Sequence, residues 1–157
     1  VWDVCTGEPV LSIEHCQEDI AHIAASPTGD TAATAYVGGA VIIWDILSGV
    51  QRGQMHGHTA TVNCICFDTT GDQLVSCSSD STVYIWNVKD YSQLSCFHCE
   101  DGVHSVSFSP DNRFIACGLQ MQQIQIFDTI AGTEVTVDPK LEGLRVRYSP
   151  ASPVVLM

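Results

Sequence analysis

The chain has 157 residues and carries 18 Asp and Glu against 6 Lys and Arg, a net charge of -12 that repels duplex nucleic acid instead of releasing counterions from it; direct nucleic-acid binding is not expected. Hydrophobic residues make up 45%, yet no apolar run approaches the ~18 residues of a membrane-spanning helix and no basic-then-apolar leader opens the chain. One soluble globular core is expected, intracellular and cytoplasmic in preference to nuclear, with no membrane partner.

The chain opens at Val1, directly into Trp2-Asp3, and reads as a piece of something longer. After a first short segment, Ile20 to Ala25 is an apolar-alternating stretch followed by SPTGD, then a second strand, then VIIWD at 41 to 45 and the turn at Gly49. The order repeats. Val62 to Phe67 runs into DTTGD and on to VYIWN at 83 to 87; Val103 to Phe108 runs into SPDNR and on to IQIFD at 124 to 128; a further copy begins with Leu144 to Tyr148 and SPASP. Trp2, Trp44 and Trp86 are spaced by 42 residues and Phe127 follows after 41, the signature of an array of supersecondary units. Pro27, Pro110, Pro150 and Pro153, with Gly29, Gly49, Gly71 and Gly132, fall at the turns, and no stretch carries a 3.6-residue period. Each unit therefore holds about four short strands.

The period, the dipeptides Trp2-Asp3, Trp44-Asp45, Trp86-Asn87 and Phe127-Asp128, and Gly57-His58 ahead of the second full unit resemble WD40 repeats along the whole chain. The resemblance implies an all-β fold, a β-propeller of four-stranded blades, with about four blades' worth of chain and so a partial propeller. Residues 1-157 are read as one repeat region: half repeat 1-18, repeats 19-60, 61-101 and 102-140, and half repeat 141-157.

His58, Ser76 and Asp80 are the parts of a hydrolase triad. The family resemblance instead implies that His58, Ser76, Asp80 and Trp86 form a buried hydrogen-bond network that fixes blade geometry. The corresponding residues elsewhere depart from it: Cys16, Thr34, Gly38 and Trp44 in the first unit, and Glu100, Cys117, Met121 and Phe127 in the third. Cys96 and Cys99 have a metal-ligand spacing that Cys64, Cys66, His56 or His98 could complete. Aligned on the repeat, however, Cys64, Cys66, Cys77 and Cys117 fall mostly in small-residue slots, so the thiols are expected to be reduced and unligated, with no metal and no cofactor.

The resemblance also places partner binding on loops at one end of the blades, the entrance face. One loop set is HCQED (15 to 19), HGHTAT (56 to 61), HCEDG (98 to 102) and DPKLEG (138 to 143); the other is VGGA (37 to 40), SSDST (78 to 82) and LQMQQ (119 to 123). Glu18, Asp19, His56, Ser79, Glu100, Asp101, Met121 and Glu142 are the candidate contacts, and their charge suits a Lys/Arg-rich protein or peptide. The expected function is a non-catalytic scaffold or adaptor, joined to further blades or domains of the same protein. The alternatives are the sensor region of a larger signalling enzyme or a propeller hydrolase using His58, Ser76 and Asp80.

Overall fold

A computed structural model describes residues 5–8, 12, 18–135, 143, 145–149 and 155–156. Residues 20–135 form three antiparallel four-stranded sheets, each a simple meander. The first contains β1 (Ile20–Ala25), β2 (Thr31–Tyr36), β3 (Val41–Asp45) and β4 (Gln51–Met55). The second contains β5 (Val62–Phe67), β6 (Gln73–Ser78), β7 (Thr82–Asn87) and β8 (Gln93–His98). The third contains β9 (Val103–Phe108), β10 (Phe114–Leu119), β11 (Ile124–Asp128) and β12 (Thr133–Val135). A short pair, β13 (Arg147–Tyr148) and β14 (Val155–Leu156), follows. Among the described residues no helix is long and apolar enough to cross a membrane.

The turns repeat because the same short polar side chains close them. Ser26, Asp68 and Ser109 each accept from the backbone N–H five residues on, at 3.2, 3.1 and 2.9 Å, so the loop between the first two strands of every sheet is held from within. The residue after each core aromatic closes the next turn. Asp45 accepts from the N–H groups of Leu47 and Ser48, Asn87 from that of Lys89, and Asp128 from those of Ile130 and Ala131. Arg52 and Arg113 then grip Asp45 and Asp128 with two nitrogens each.

The first strand of each sheet lies beside the first strand of the next: β1 against β5, β5 against β9, and β13 against β9. The core lies between the sheets. One cluster joins Ala33, Val41, Ile43 and Met55 of the first sheet to Ile65, Leu74 and Trp86 of the second. The other joins Val75, Cys77, Ile85 and Phe97 of the second to Val106, Ile115, Cys117 and Phe127 of the third. Neighbours Leu74 and Val75 thus bury on opposite faces, which is why these strands read as near-continuous apolar runs. Three sheets stacked face to face around their first strands are blades of a β-propeller.

Candidate functional site

The loop before β5 passes directly over the Trp86 indole. A Cβ on Gly57 would lie 3.1 Å from that ring, so glycine permits the close approach and delivers His58 beneath it. The His58 side chain has no exposed surface, Ser76 is 0% exposed and Trp86 2%. Trp86 Nε1 donates to Ser76 Oγ at 2.8 Å, and Ser76 Oγ lies 2.8 Å from His58 Nε2. On the other side of the ring, Nδ1 lies 3.2 Å from Asp80 Oδ2 and 3.0 Å from Thr82 Oγ1. With Nδ1–H donated to Asp80, the lone pair on Nε2 accepts the Ser76 hydroxyl, and one directional chain runs Trp86, Ser76, His58, Asp80.

Burial holds the His58 imidazole below its ordinary pKa even though Asp80 works in the opposite direction, so the ring is neutral. Burial opposes ionisation of Asp80, but hydrogen bonds from Thr82 and the Thr59 N–H, the latter at 2.7 Å, keep its carboxyl below the usual range. The four residues singled out in the sequence therefore meet in one site. The Ser76 oxygen accepts the indole N–H and is fully buried, an arrangement that fixes the geometry of the strand pair.

The neighbouring sheets keep only parts of the chain. In the first, Trp44 Nε1 donates to Thr34 Oγ1 at 2.8 Å, and Gly38 stands where Asp80 would be, with the Glu18 carboxylate directly over it; Cys16 lies outside the described residues. In the third, one expectation is corrected. The spacing from the second sheet to the third is 41 residues throughout, so Cys99, not Glu100, takes the place of His58, four residues ahead of Val103 as His58 is ahead of Val62. Cys99 packs against the core cluster that contains Cys117, the counterpart of Ser76, while the Glu100 N–H donates to Gln125 Oε1 at 3.2 Å.

The two loop sets do share one edge of each sheet. The N–H groups of Val37, Ser79 and Gln120 donate to the carbonyls of Asp19, Thr61 and Gly102 at 3.1, 3.0 and 2.8 Å. Glu18, Asp19, His56, Ser79 and Glu100 are exposed there, Asp101 is half-buried, and Met121 is 76% exposed. Glu142, with His15, Asp138 and Lys140, lies outside the described residues. The cations in the described ion pairs with carboxylates all sit elsewhere: Arg52 on Asp45, Lys89 on Asp72 and Arg113 on Asp128, toward the far ends of the strands. A groove of about 350 Å³ between the first two sheets at that far end is lined by these paired groups, including Arg52, Asp72 and Lys89.

Sequence reasoning missed Asn63, whose amide donates both to Ser79 Oγ at 2.9 Å and to the Val103 carbonyl at 2.8 Å, tying this edge of the second sheet to the third. It sits at a β-bulge, which no spacing rule marks. Cys96 Sγ lies 3.9 Å from His98 Nε2, and among the described residues no three His, Cys, Asp or Glu side chains converge as metal ligands do.

Comparison with known proteins fits this architecture. The family profile "WD domain, G-beta repeat" matches residues 7–45, 49–87 and 91–121. The chain is 30% identical over 121 residues to the U3 small nucleolar RNA-associated protein 15 homolog of Xenopus laevis, covering 76% of this chain and 23% of that protein. It is 30% identical over 143 residues to WD repeat-containing protein 37 of the same organism, covering 89% and 28%. The chain thus spans about a quarter of the length of these curated relatives. Among solved structures, "Crystal structure of RRP9 WD40 repeats" superposes with a TM-score of 0.79 at 16% identity, covering 87% of this chain and 44% of that one. The expected preference for cytoplasm over nucleus is overturned: relatives are named for association with a small nucleolar RNA, and a nucleolar setting is nuclear.

Proposed function

The chain belongs to the WD40-repeat family, and from that premise we propose that it is a non-catalytic interaction scaffold whose entrance-face loops hold a Lys/Arg-rich segment of another protein. The family's scaffold role supports the coarse statement. The finer one rests on a single observation: Glu18, Asp19, Glu100 and Asp101 gather on the shared loop edge, while the cations of the described Lys and Arg ion pairs are all bound to carboxylates elsewhere. His56, Ser79 and Met121 flank the acids with neutral contacts, and Glu142 belongs to the same loop set in the sequence. The network of His58, Ser76, Asp80 and Trp86 supports this edge from below, because Asp80 fixes both the Thr59 and Thr82 backbone.

On this reading, residues 1-157 contribute consecutive blades to a longer propeller, the remaining blades or domains of the protein being its first partners. The relatives' link to a small nucleolar RNA supports work inside a nuclear assembly. With a net charge of -12, this chain would meet such an assembly through its proteins and not through the RNA itself.

The test is the affinity of a fluorescent Lys/Arg-rich peptide for the chain and for the double variant Glu100→Lys/Asp101→Lys, with Asp90→Lys at the far end as control. The entrance variant is expected to bind about tenfold or more weakly and the control to bind like the parent. Equal affinity in all three proteins would remove the acidic edge as the binding site.

A further inference from the structure

The thiols of the second sheet are placed as no scaffold role requires. Cys64 on β5 and Cys77 on β6 stand directly opposite one another across the antiparallel pair, beside the bulge at Asn63. Directly opposed residues hold their Cβ atoms about 4.5–5.5 Å apart, so a disulfide of about 3.5–4.5 Å needs the two strands to close by a fraction of an ångström to about an ångström. The two thiols pack in the same core cluster between the second and third sheets. From the first sheet, His22 Nε2 approaches the same sulfur at 3.9 Å. The Ile65 N–H donates to His22 Nδ1 at 3.4 Å, so the ring proton lies on Nε2 and is directed at Cys64. Cys64 is half-buried on the innermost strand of its blade, whereas Cys77 is 0% exposed.

We propose that Cys64 and Cys77 form a peroxide-responsive dithiol, with Cys64 the nucleophile and Cys77 the resolving thiol. The Cys64 sulfur attacks one oxygen of hydrogen peroxide; the O–O bond breaks, a sulfenic acid forms and water leaves. The Cys77 sulfur then attacks the sulfenic sulfur, the S–O bond breaks, and the released oxygen departs as a second water with the Cys77 proton. In sum, two thiols are oxidised and one peroxide is reduced, giving one disulfide and two waters.

The division of roles follows from the surroundings. The neighbouring Cys77 and His22 pull the Cys64 thiol down to about 4 against its burial; the Cys64 sulfur raises the His22 imidazole, and burial, then Arg147 and Arg145, oppose that without reversing it. Burial pushes Cys77 well up, and Cys66 and Cys96 are also raised by burial; the neighbouring Cys99, then burial, raises Cys117. A low-pKa thiol within reach of a second thiol is the arrangement of a reversible sensor, not of an inert core cysteine.

The experiment treats the folded chain with hydrogen peroxide, blocks the remaining thiols under denaturing, non-reducing conditions, and maps peptides by mass. The expected product has lost two hydrogen atoms and joins the peptides of Cys64 and Cys77; Cys64→Ser abolishes the link, which assigns it to Cys64 and not to Cys66. Cys77→Ala copies Ala35 of the first sheet and is expected to fold, leaving a Cys64 sulfenic acid that a 1,3-dicarbonyl probe captures. His22→Ala is expected to slow iodoacetamide alkylation of Cys64 near neutral pH by about tenfold. Undiminished alkylation of Cys64 after peroxide, a link through Cys99 or Cys117 instead, or a Cys77→Ala protein that gives no probe adduct would each overturn the proposal.

Discussion

Ser76 is the residue on which the buried chain of hydrogen bonds turns, since its one oxygen serves both the Trp86 N–H and His58 Nε2. Ser76→Ala strands two buried polar groups in a site with no exposed surface and is expected to cost about 1–3 kcal/mol, read as a lower Tm. Thr34→Ala in the first sheet strands the Trp44 N–H and removes the hydroxyl donated to Tyr36 Oη at 3.2 Å, but leaves no buried histidine unpaired and so should cost less; a Thr34→Ala loss larger than that of Ser76→Ala would show that the His58 bond adds nothing. The histidine also carries a pH signature. In the unfolded chain its imidazole titrates near 6.5, and in the fold burial holds it lower, so the unfolded state binds the proton first. The stability His58 contributes is therefore complete above that pH and is lost as pH falls through it toward the folded value. Asp80 has the same sign further down, its loss setting in as pH drops through the usual 3.8. The drop in Tm between about pH 7 and pH 5 should flatten in His58→Gln, and a variant that keeps the full drop would show that another group carries it. All four residues were legible in the sequence because one unit carries them at the spacing of the family; the partnership of Cys64, Cys77 and His22 was not, since aligning cysteines into small-residue slots says nothing of what lies across the strand pair.

At the scale of elements, the units are joined by loops that lean on one another's backbone. Gly39, at the β2–β3 turn of the first sheet, has a φ of 92° and lies against the loop of the second: a Cβ there would stand 2.6 Å from the His58 carbonyl oxygen. Gly39→Ala combines a left-handed backbone with a collision against main chain, neither of which a rotamer change relieves, and is expected to cost about 2–4 kcal/mol. A change within a few tenths of a kcal/mol would mean that the two sheets do not lean on each other at this turn. The strands at β1, β3, β5 and β9 could be read residue for residue, because turn residues bound them (Ser26-Pro27, Gly38-Gly39, Thr70-Gly71, Ser109-Pro110) and apolar side chains recur along them, even in β1, which is largely exposed. The outermost strands could not. Gln51–Met55, Gln93–His98 and Thr133–Val135 are largely exposed, so neither alternation nor an apolar run marks them. The profile matches also straddle the sheets: the window 49–87 takes β4 from the first sheet and β5, β6 and β7 from the second, so each sequence unit ties two blades covalently. The slip from 42 to 41 residues between the second and third units is what displaced Glu100 onto the position that Cys99 holds.

For the whole molecule, the charge of -12 says which partners are drawn in and not where in the cell they are met. Nothing in composition separates nucleus from cytoplasm, both of them reducing, which is why the preference for cytoplasm had no footing in the residues and gave way to the names of relatives. What the field does determine is the kinetics of encounter. With the entrance acids free of described ion pairs to Lys or Arg, and the excess charge of the rest of the chain adding to them at long range, a Lys/Arg-rich peptide should be steered toward this face before any contact forms. The Debye length shortens from about 30 Å at 0.01 M salt to about 8 Å at 0.15 M, so the association rate should fall about tenfold or more over that range while the dissociation rate changes little. Stopped-flow measurements can separate local from global contributions. Glu100→Lys/Asp101→Lys removes the charges at the edge and should flatten most of the slope, whereas reversing a far-end acid such as Asp90 should leave the slope near that of the parent, differing only through net charge. If both variants flatten it equally, steering belongs to the molecule's total charge, and the entrance face has no special claim on the partner.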